Sequence, residues 1–321
     1  MKLSIIVVSW NVKGDLLNCL GSIRNNPPSC QYEVIVVDNA SSDGTVDALR
    51  QQFPLLRLID NKENRGFAGA NNQGLDVACG QYIFFLNPDT IVTPRSIDVL
   101  LRFMEDNPDV GACGPKLTSE NGIAQHTVRC FPSFAGALHR HTIFKALGIF
   151  RPAYNKWLMK GFSSDSPVQV DQLIGAALMV RREAMEDVGK MDHENFFMYY
   201  EEVDLCYRMK KAGWRTMFVP YARIVHLGGR SSGQIPAEKT LMAMSSLLKF
   251  LKKHRSAVSF TVFSWVFKTA FVLNEIMNLL LYSLVYVLGL MSLSSKTRTY
   301  AGRKLRYSGR LLKLTWMQRF G

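Results

Sequence analysis

Two aliphatic runs near the amino terminus, each followed by a helical pattern, constrain the fold of this chain most. Leu3–Ser9 precedes a helix predicted over Asp15–Asn25, and Glu33–Val37 precedes one predicted over Val46–Phe53. Near-continuous apolar strands that alternate with helices are typical of a parallel sheet covered on both faces. We therefore predict an α/β fold with a Rossmann-like, mostly parallel central sheet flanked by helices, which would bind ligands beyond the carboxyl ends of its strands.

The run Tyr82–Thr90, which reads YIFFLNPDT, is an apolar strand that ends in polar residues. A carboxylate at Asp89 can hold a divalent cation, and a cation bound by oxygen is the usual way to neutralise a diphosphate. Taken alone, Asn-Pro-Asp is more often a simple turn.

The remaining elements are predicted from weaker patterns. We expect strands at Leu55–Ile59 and Val110–Cys113, helices at Pro94–Glu105 and Arg182–Val188, irregular structure over Lys116–Ser166, one strand over Val168–Arg181, and edge strands at Thr216–Pro220 and Ala222–Val225.

A second polar concentration places Glu201, Glu202 and Asp204 directly after an apolar run and at the start of a predicted helix. Acids are favoured in the first turn of any helix by its dipole, which needs no function. A carboxylate with apolar and like-charged neighbours has a raised pKa, which suits a general base. A lone histidine such as His226 is by itself more often structural than a ligand.

The positive charge of the chain is concentrated in its tail. The formal net charge is +13, yet residues 1–248 contain 26 bases and 25 acids, whereas the remainder contains 13 bases and one acid. This distribution argues against a nucleic-acid-binding domain. The six cysteines show no C-x-x-C spacing, which indicates neither a zinc site nor a disulfide framework and is typical of a reducing compartment. The first residues are predicted to be a strand rather than a secretory signal.

Four stretches stand in a characteristic order along the chain: SIIVVSWN at Ser4–Asn11, VIVVDNASSDGT at Val34–Thr45, NRGFAGANNQGL at Asn64–Leu75 with FLNPDT at Phe85–Thr90, and FFMYYEEVDLCYRMKKAGW at Phe196–Trp214. Together they resemble the family 2 glycosyltransferases, most closely the bacterial rhamnosyltransferase-like branch, over residues 3 to 232. The resemblance implies a GT-A fold and an inverting transferase that takes a sugar from a nucleotide diphosphate, with Mg²⁺ or Mn²⁺ bridging the phosphates.

The resemblance also implies roles for the matching residues. The nucleotide-sugar site would contain Trp10, Asn11, Asp38, Asn39, Asp43, Asn64, Arg65, Gly66 and Asn87. Asn87 and Asp89 occupy the D-x-D positions, of which the first contacts the ribose and the second the metal. Asparagine replaces the first acid, which leaves the ionic role to Asp89. His226 matches a further metal ligand found in parts of the family.

The acidic pair matches the family's E-D motif, whose second acid is the catalytic base. That position is Glu202, where aspartate is usual, and Glu201 is the fallback. Gly175, Ala176 and Asp204 are predicted to lie on the acceptor side, although Asp204 also suits a structural role. Gln172 replaces a tryptophan common in this branch, so the resemblance implies no acceptor identity. The expected donor is dTDP-rhamnose, then a UDP-hexose, and the expected acceptor is a lipid-linked or polysaccharide glycan.

The tail predicts association with a membrane. Ser256–Phe267 and Ile276–Ser295 are uncharged, and the second stretch is long enough to span. A re-entrant hairpin that turns near Asn274 and Glu275, or helices that lie in the interface, would keep the basic flanks on the cytoplasmic face. The bases from Lys296 onward, interleaved with residues such as Trp316 and Phe320, predict contact with anionic lipid.

We therefore predict a GT-A catalytic domain at residues 1–245 and a helical membrane-association region at residues 246–321. Three alternatives remain: a soluble helical subdomain in place of the membrane region, a non-catalytic nucleotide-sugar-binding scaffold on the same fold, and nucleic-acid binding by the basic tail. Homo-oligomer formation is left open.

Overall fold

The chain forms two compact units. The computed structural model describes residues 1–228, 236–291 and 294–317. The sheet unit contains Met1–Phe131 and the described residues from Leu158 to Gly228, and the helical unit contains Pro132–Trp157 and the described residues from Pro236 onward. The division at residue 245 that the sequence suggests remains a prediction.

The elements follow one another in chain order as β1 Leu3–Ser9, α1 Lys13–Asn25, β2 Tyr32–Asp38, α2 Thr45–Gln52, β3 Arg57–Asp60, α3 Gly66–Val77, β4 Tyr82–Leu86, β5 Thr90–Val92, α4 Ser96–Asp106, β6 Val110–Thr118, β7 Val128–Arg129, α5 Phe134–His141, a 3-10 turn Ile143–Lys145, α6 Arg151–Trp157, β8 Val168–Gln169, β9 Gln172–Leu173, β10 Ala177–Arg181, α7 Arg182–Val188, α8 Glu201–Lys211, β11 Arg215–His226, α9 Pro236–His254, α10 Ala257–Met291 and α11 Ser295–Met317.

One central sheet organises the sheet unit. Its strand order is β3-β2-β1-β4-β10-β6-β11-β5, with β8 paired to β11. The strands β1 to β4 are parallel, so Ser9 and Asp38 lie side by side where β1 and β2 end. On the other side of β4, β10 runs antiparallel and β11 pairs antiparallel with β5, which puts His226 opposite Thr90. The predicted α/β class is confirmed, with antiparallel pairs in this second half.

The sheet is covered on both faces, as its continuous apolar strands predict. Alternate residues of β1 enter two different cores: Leu3, Ile5 and Val7 pack with α1 and α4, whereas Ile6 and Val8 pack with α3, α7 and α8. Every residue of β1 is buried, because helices shield both faces.

Three expectations about residues 116–225 are wrong. The stretch Lys116–Ser166 contains β7, α5, the 3-10 turn and α6 rather than irregular chain, and the single strand expected over Val168–Arg181 is three short strands. The two expected edge strands are one strand, β11, which lies between β6 and β5 inside the sheet. The elements between residues 128 and 181 are short, which gives the sequence too little periodicity to reveal them.

The helical unit contains one long apolar helix. α10 is long and apolar enough to cross a membrane, and little of its surface is buried. Of the two expected arrangements, the hairpin that turns near Asn274 and Glu275 is wrong, because α10 continues through both residues. Glu275 stays helical and accepts a hydrogen bond from Asn274 Nδ2 at 2.9 Å. The tail prediction also included Phe320, which lies outside the described residues, and the side chain of Trp316, which is likewise not described.

Candidate active site

The predicted nucleotide-sugar site begins with Asp38, the last residue of β2. This residue is almost fully buried. Its Oδ2 accepts a hydrogen bond from the Ser41 N–H at 2.9 Å, whereas Oδ1 is shielded from solvent and has no hydrogen-bond partner among the described residues. Burying a polar atom without a partner is unfavourable. Within the described chain, Asp38 Oδ1 is therefore an acceptor without a partner at the carboxyl end of β2.

Asn11 ties the end of β1 to the loop that follows β2. Its backbone has a left-handed φ of 52°, a conformation that asparagine tolerates better than most residues. Its N–H donates to Ser41 Oγ at 2.9 Å, and its Oδ1 accepts from the Ser42 N–H at 2.7 Å. Trp10, directly before it, is half-buried. Asn11 therefore contacts the loop that follows Asp38.

Asp43 joins the starts of two helices. One carboxylate oxygen accepts from the Lys13 N–H of α1 at 2.9 Å, and the other accepts from the Thr45 N–H of α2 at 3.2 Å. Partial burial opposes ionisation, but hydrogen bonds from the Thr45 hydroxyl and from these two N–H groups lower the pKa of Asp43 below its ordinary value. Both oxygens of its carboxylate therefore accept hydrogen bonds from the first turns of these helices.

Asn39 holds the predicted nucleotide loop. Its Nδ2 donates to Asn64 Oδ1 at 2.8 Å and to the Gly66 carbonyl at 3.1 Å. Its Oδ1 accepts from the Arg65 N–H at 2.9 Å and from Asn61 Nδ2 at 3.2 Å. These four bonds use both donors and both acceptor positions of the amide. The buried Asn39 side chain therefore shapes the loop of residues 64–66.

Gly66 allows this loop to touch the segment that precedes the acidic pair. Its φ is 73°, and a Cβ at this position would lie 2.3 Å from the Phe197 carbonyl oxygen. The same carbonyl accepts a hydrogen bond from the Phe67 N–H at 2.7 Å. Only glycine permits both the left-handed backbone and the close approach.

The acidic pair begins α8 after an unusual turn. Tyr199 and Tyr200 both have left-handed backbones, with φ of 69° and 73°. Such conformations are unfavourable for aromatic residues and cluster at functional sites. This turn places Glu201 and Glu202 in the first turn of α8.

Both carboxyl groups of the pair resist ionisation. Burial and the charge of Glu202 raise the pKa of Glu201 well above its ordinary value. Burial also raises the pKa of Glu202, although its own N–H, the Arg129 charge and the N–H groups of Gly175 and Val203 offset part of the effect. The Oε2 atom of each acid is shielded and has no hydrogen-bond partner among the described residues. Glu201 is buried and Glu202 half-buried, so the second acid is the more accessible.

The segment before β10 connects Glu202 to the end of β4. A Cβ on Gly175 would lie 3.5 Å from the Cβ and Cγ of Glu202, an ordinary contact distance. The carbonyl of Ala176 accepts from the Asn87 N–H at 2.9 Å. The Oδ1 atom of Asn87 is shielded and has no hydrogen-bond partner among the described residues. Asn87 thus lies next to the segment that contacts Glu202.

Asp204 is engaged elsewhere. It is fully buried, and its Oδ2 accepts from Arg208 Nε at 2.7 Å. Arg208 also donates to the carbonyls of Gly189 and Lys190, at 3.0 and 2.8 Å. This buried ion pair anchors α8 to the chain after α7, in keeping with the structural role that its position also suggested.

Asp89 and His226 meet at the ends of β4 and β11. His226 Nε2 lies 3.4 Å from Asp89 Oδ1, and both side chains are mostly buried. The Leu227 N–H donates to the Asp89 carbonyl at 2.9 Å, which fastens the two chain segments together. Gln125 contacts the far nitrogen of the ring, with Oε1 2.9 Å from His226 Nδ1.

The Asp89–His226 pair fits a divalent cation whose other ligands come from a substrate. Among the described residues, no group of three or more histidines, cysteines or acids could hold a metal by itself. Mg²⁺ and related ions are often held by one or two protein side chains together with phosphate oxygens. A carboxylate and an imidazole nitrogen directed at each other supply such a partial ligand set.

Two residues of this region escaped sequence reasoning. Gln125 and Arg129 both lie within the stretch expected to be irregular, where no periodicity marked them. Arg129 lies in β7, which pairs with β9, and its charge offsets part of the rise in the pKa of Glu202.

Comparison with known families gives two matches. The family Glycosyl transferase family 2 matches residues 4–157, and Glycosyl transferase family group 2 matches residues 82–302. The chain is 33% identical over 238 residues to the N-acetylglucosaminyl-diphospho-decaprenol L-rhamnosyltransferase of Mycobacterium tuberculosis, covering 70% of this chain and 75% of that protein. It is 29% identical to the low-salt glycan biosynthesis hexosyltransferase Agl10 of Haloferax volcanii, covering 65% of this chain and 62% of that protein.

Solved structures show the fold. The mannosyltransferase PcManGT from Pyrobaculum calidifontis, in complex with GDP-Man and Mn²⁺, superposes with a TM-score of 0.57 at 17% identity, covering 99% of this chain and 88% of that one. GalNAc-T7 with UDP, GalNAc and Mn²⁺ also gives a TM-score of 0.57, at 15% identity, covering 78% of this chain and 48% of that one. The GT-A architecture expected from the sequence is confirmed.

Proposed function

The chain belongs to glycosyl transferase family 2, and from this premise we propose that it is an inverting, metal-dependent enzyme that transfers a sugar from a nucleotide diphosphate to a hydroxyl of a lipid-linked or cell-surface glycan. The observation that carries the proposal is the meeting of Asp89 and His226 at the end of β4, beside Asn87 and the segment that contacts Glu202. The first candidate donor is dTDP-rhamnose, because the mycobacterial relative is named as a rhamnosyltransferase. A UDP-hexose is the second candidate.

The donor would bind along the ends of β1, β2 and β4. Asp38 accepts a hydrogen bond from the base through its unpartnered Oδ1, and Asn87 offers its shielded Oδ1 to the ribose. Asn39, Asn64 and Gly66 position the nucleotide loop, because the hydrogen bonds among them fix its backbone. The exposed guanidinium of Arg65 is available to phosphate, since its ion pair with Glu63 is solvent-exposed. Trp10 and Asn11 border the base.

Asp89 and His226 would hold the metal, with Mg²⁺ or Mn²⁺ as candidates. When bound, a divalent cation offsets the negative charge of the diphosphate as it leaves. Without it, the hydrogen bond from Leu227 to the Asp89 carbonyl holds the backbone at Asp89, and the contact with Gln125 orients the His226 ring.

Glu202 would act as the general base. The acceptor oxygen attacks the anomeric carbon, the bond from that carbon to the diphosphate oxygen breaks, and the hydroxyl proton moves to the carboxylate of Glu202. Attack from the face opposite the leaving group inverts the configuration. Because the pKa of Glu202 is raised, its carboxylate accepts a proton more readily than an ordinary glutamate does. Glu201 is the fallback, but its deeper burial leaves it less accessible. Gly175 and Ala176 would border the acceptor.

The tail would attach the enzyme to a membrane. α10 offers an apolar surface, and the exposed bases of α11 would contact anionic lipid at the cytoplasmic face. We propose residues 1–245 as the catalytic domain and residues 246–321 as the membrane-association region. The enzyme would then lie at the membrane surface that also holds a lipid-linked acceptor.

The full-length protein tests this proposal directly. We would incubate it with Mn²⁺, a panel of nucleotide sugars that includes dTDP-rhamnose, and a synthetic N-acetylglucosaminyl-diphospho-lipid, and detect the glycosylated lipid by mass spectrometry. We expect transfer from one donor, and proton NMR of the product should show an inverted anomeric centre. Protection against thermal unfolding by a sugar nucleotide, without turnover on any acceptor tried, would instead support a non-catalytic binding scaffold.

A further inference from the structure

Gln125 is fixed in one orientation by the strand end that it contacts. It lies in the loop after β6, where its N–H donates to the Leu117 carbonyl at 2.9 Å. Its side-chain Nε2 donates to the His226 carbonyl at 2.7 Å. A carbonyl can only accept, so the atom that faces it must be the amide nitrogen. The opposite atom, Oε1, therefore faces the imidazole.

This orientation determines which ring nitrogen of His226 carries the proton. Gln125 Oε1 lies 2.9 Å from Nδ1, and an amide oxygen can only accept a hydrogen bond. In the neutral ring, Nδ1 must then be the donor, and Nε2 keeps a free electron pair. That pair faces Asp89 Oδ1 at 3.4 Å.

We propose that Gln125 is a positioning residue for the divalent cation, because it fixes His226 in the tautomer whose Nε2 can bind the ion together with Asp89. The inference rests on the proposed function, in which Asp89 and His226 are metal ligands. A histidine ligand usually donates its other N–H to an acceptor that fixes the ring, and loss of that acceptor weakens metal binding. Gln125 supplies this acceptor from the loop after β6.

The test measures Mn²⁺ binding to the full-length protein by the EPR signal of the free ion. Gln125→Met keeps the length of the side chain and removes both hydrogen bonds. We expect it to weaken Mn²⁺ binding by about 10- to 100-fold. Gln169→Met makes the same exchange on the exposed strand β8, which also pairs with β11, and should leave binding unchanged.

A second measurement reads the tautomer without any metal. In protein labelled with ¹⁵N-histidine, at a pH well above the ordinary histidine pKa, the two-bond ¹H–¹⁵N spectrum distinguishes Nδ1–H from Nε2–H. The His226 signal is assigned by its absence in His226→Ala. We expect Nδ1–H in the wild type and in Gln125→Glu, which keeps the acceptor, and loss of this preference in Gln125→Met.

The outcomes separate this inference from the proposed function. If His226→Ala binds Mn²⁺ as the wild type does, the ligand role of His226 in the proposed function is wrong. If His226→Ala weakens binding but Gln125→Met does not, only the positioning role of Gln125 is overturned. An Nε2–H tautomer in the wild-type protein would also overturn it, whatever the metal affinity.

Discussion

Gly66 and Phe197 approach so closely that a Cβ on the glycine would lie 2.3 Å from the Phe197 carbonyl oxygen. The contact joins the loop of residues 64–66 to the segment that leads into Glu201 and Glu202. In the proposed function, the loop that would bind the sugar donor and the acids that would activate the acceptor are therefore joined by a direct backbone contact.

Gly66→Ala should destabilise the protein and weaken donor binding together. The left-handed backbone alone costs about 1–2 kcal/mol for a residue with a Cβ, and the clash with the Phe197 backbone adds to it. Calorimetry would measure the melting temperature and the affinity for the nucleotide sugar. Gly21→Ala is the control, because Gly21 lies inside α1 with open space around it, and alanine there should stabilise by about 0.5–1 kcal/mol. A Gly66→Ala protein that melts and binds like the wild type would contradict the role given to this contact.

Asp89→Ala should abolish transfer and leave the fold intact. The Leu227 N–H contacts the Asp89 backbone, which the substitution retains. We expect kcat/KM to fall by at least about 100-fold, the scale on which the loss of one electrostatic contact with the transition state is felt. Asp76→Asn removes the carboxylate of a surface ion pair with Lys190 and should leave kcat/KM unchanged. Normal turnover by a folded Asp89→Ala protein would contradict the metal-binding role proposed for Asp89.

Glu202→Gln should lower kcat by about 10²- to 10⁴-fold, because the amide cannot accept the proton of the acceptor hydroxyl. The wild-type pH profile gives an independent readout. A base must be ionised to act, and the pKa of Glu202 is raised, so kcat/KM should begin to fall at a pH above the ordinary glutamate pKa as the pH decreases. Glu202→Asp should retain measurable activity, because it keeps the carboxylate. If Glu201→Gln were inactive and Glu202→Gln active, the two roles would be exchanged.

Glu201→Gln should stabilise the protein at neutral pH. The folded-state pKa of Glu201 is raised, so the folded protein loses stability as the pH rises above the ordinary glutamate pKa, where the unfolded chain ionises more readily. Each unit of pKa difference corresponds to about 1.4 kcal/mol. Melting curves from acidic to neutral pH should show the variant gaining on the wild type as the pH rises, and converging with it in acid. A constant difference across this range would exclude ionisation as its cause.

Neutralising three exposed bases of α11 should weaken binding to anionic membranes. Replacing Arg303, Lys304 and Arg306 with glutamine removes about 1 kcal/mol of attraction per charge, or roughly 100-fold in total. Co-sedimentation with vesicles that contain phosphatidylglycerol would measure the effect. The matched control replaces three bases of the sheet unit, Arg50, Lys62 and Arg102, and should bind normally. Equal loss in both variants would indicate a non-specific charge effect.

The local patterns determined the first half of the sheet and the chemistry at its edge. Continuous apolar runs such as Leu3–Ser9 can be buried only between two layers, and parallel strands bring their carboxyl ends together. The positions of Asp38 and Asp89 at the carboxyl-end edge of the sheet were therefore predictable. The uncharged run that became α10 was equally visible, because the hydropathy of a long segment is a local property.

Only the tertiary structure decided which of these groups can act together. His226 meets Asp89 because β11 pairs with β5 in a register that puts His226 opposite Thr90, and no local pattern specifies the pairing of strands so distant in sequence. Likewise, no local pattern showed that Asn39 would hydrogen-bond to the loop of residues 64–66 or that Asp43 would hydrogen-bond to the helix ends. Gln125 was equally hidden, because it lies in a stretch without periodicity. Residue type and spacing predicted the chemistry available to the site, whereas burial and hydrogen-bond partners decided which atoms remain free to perform it.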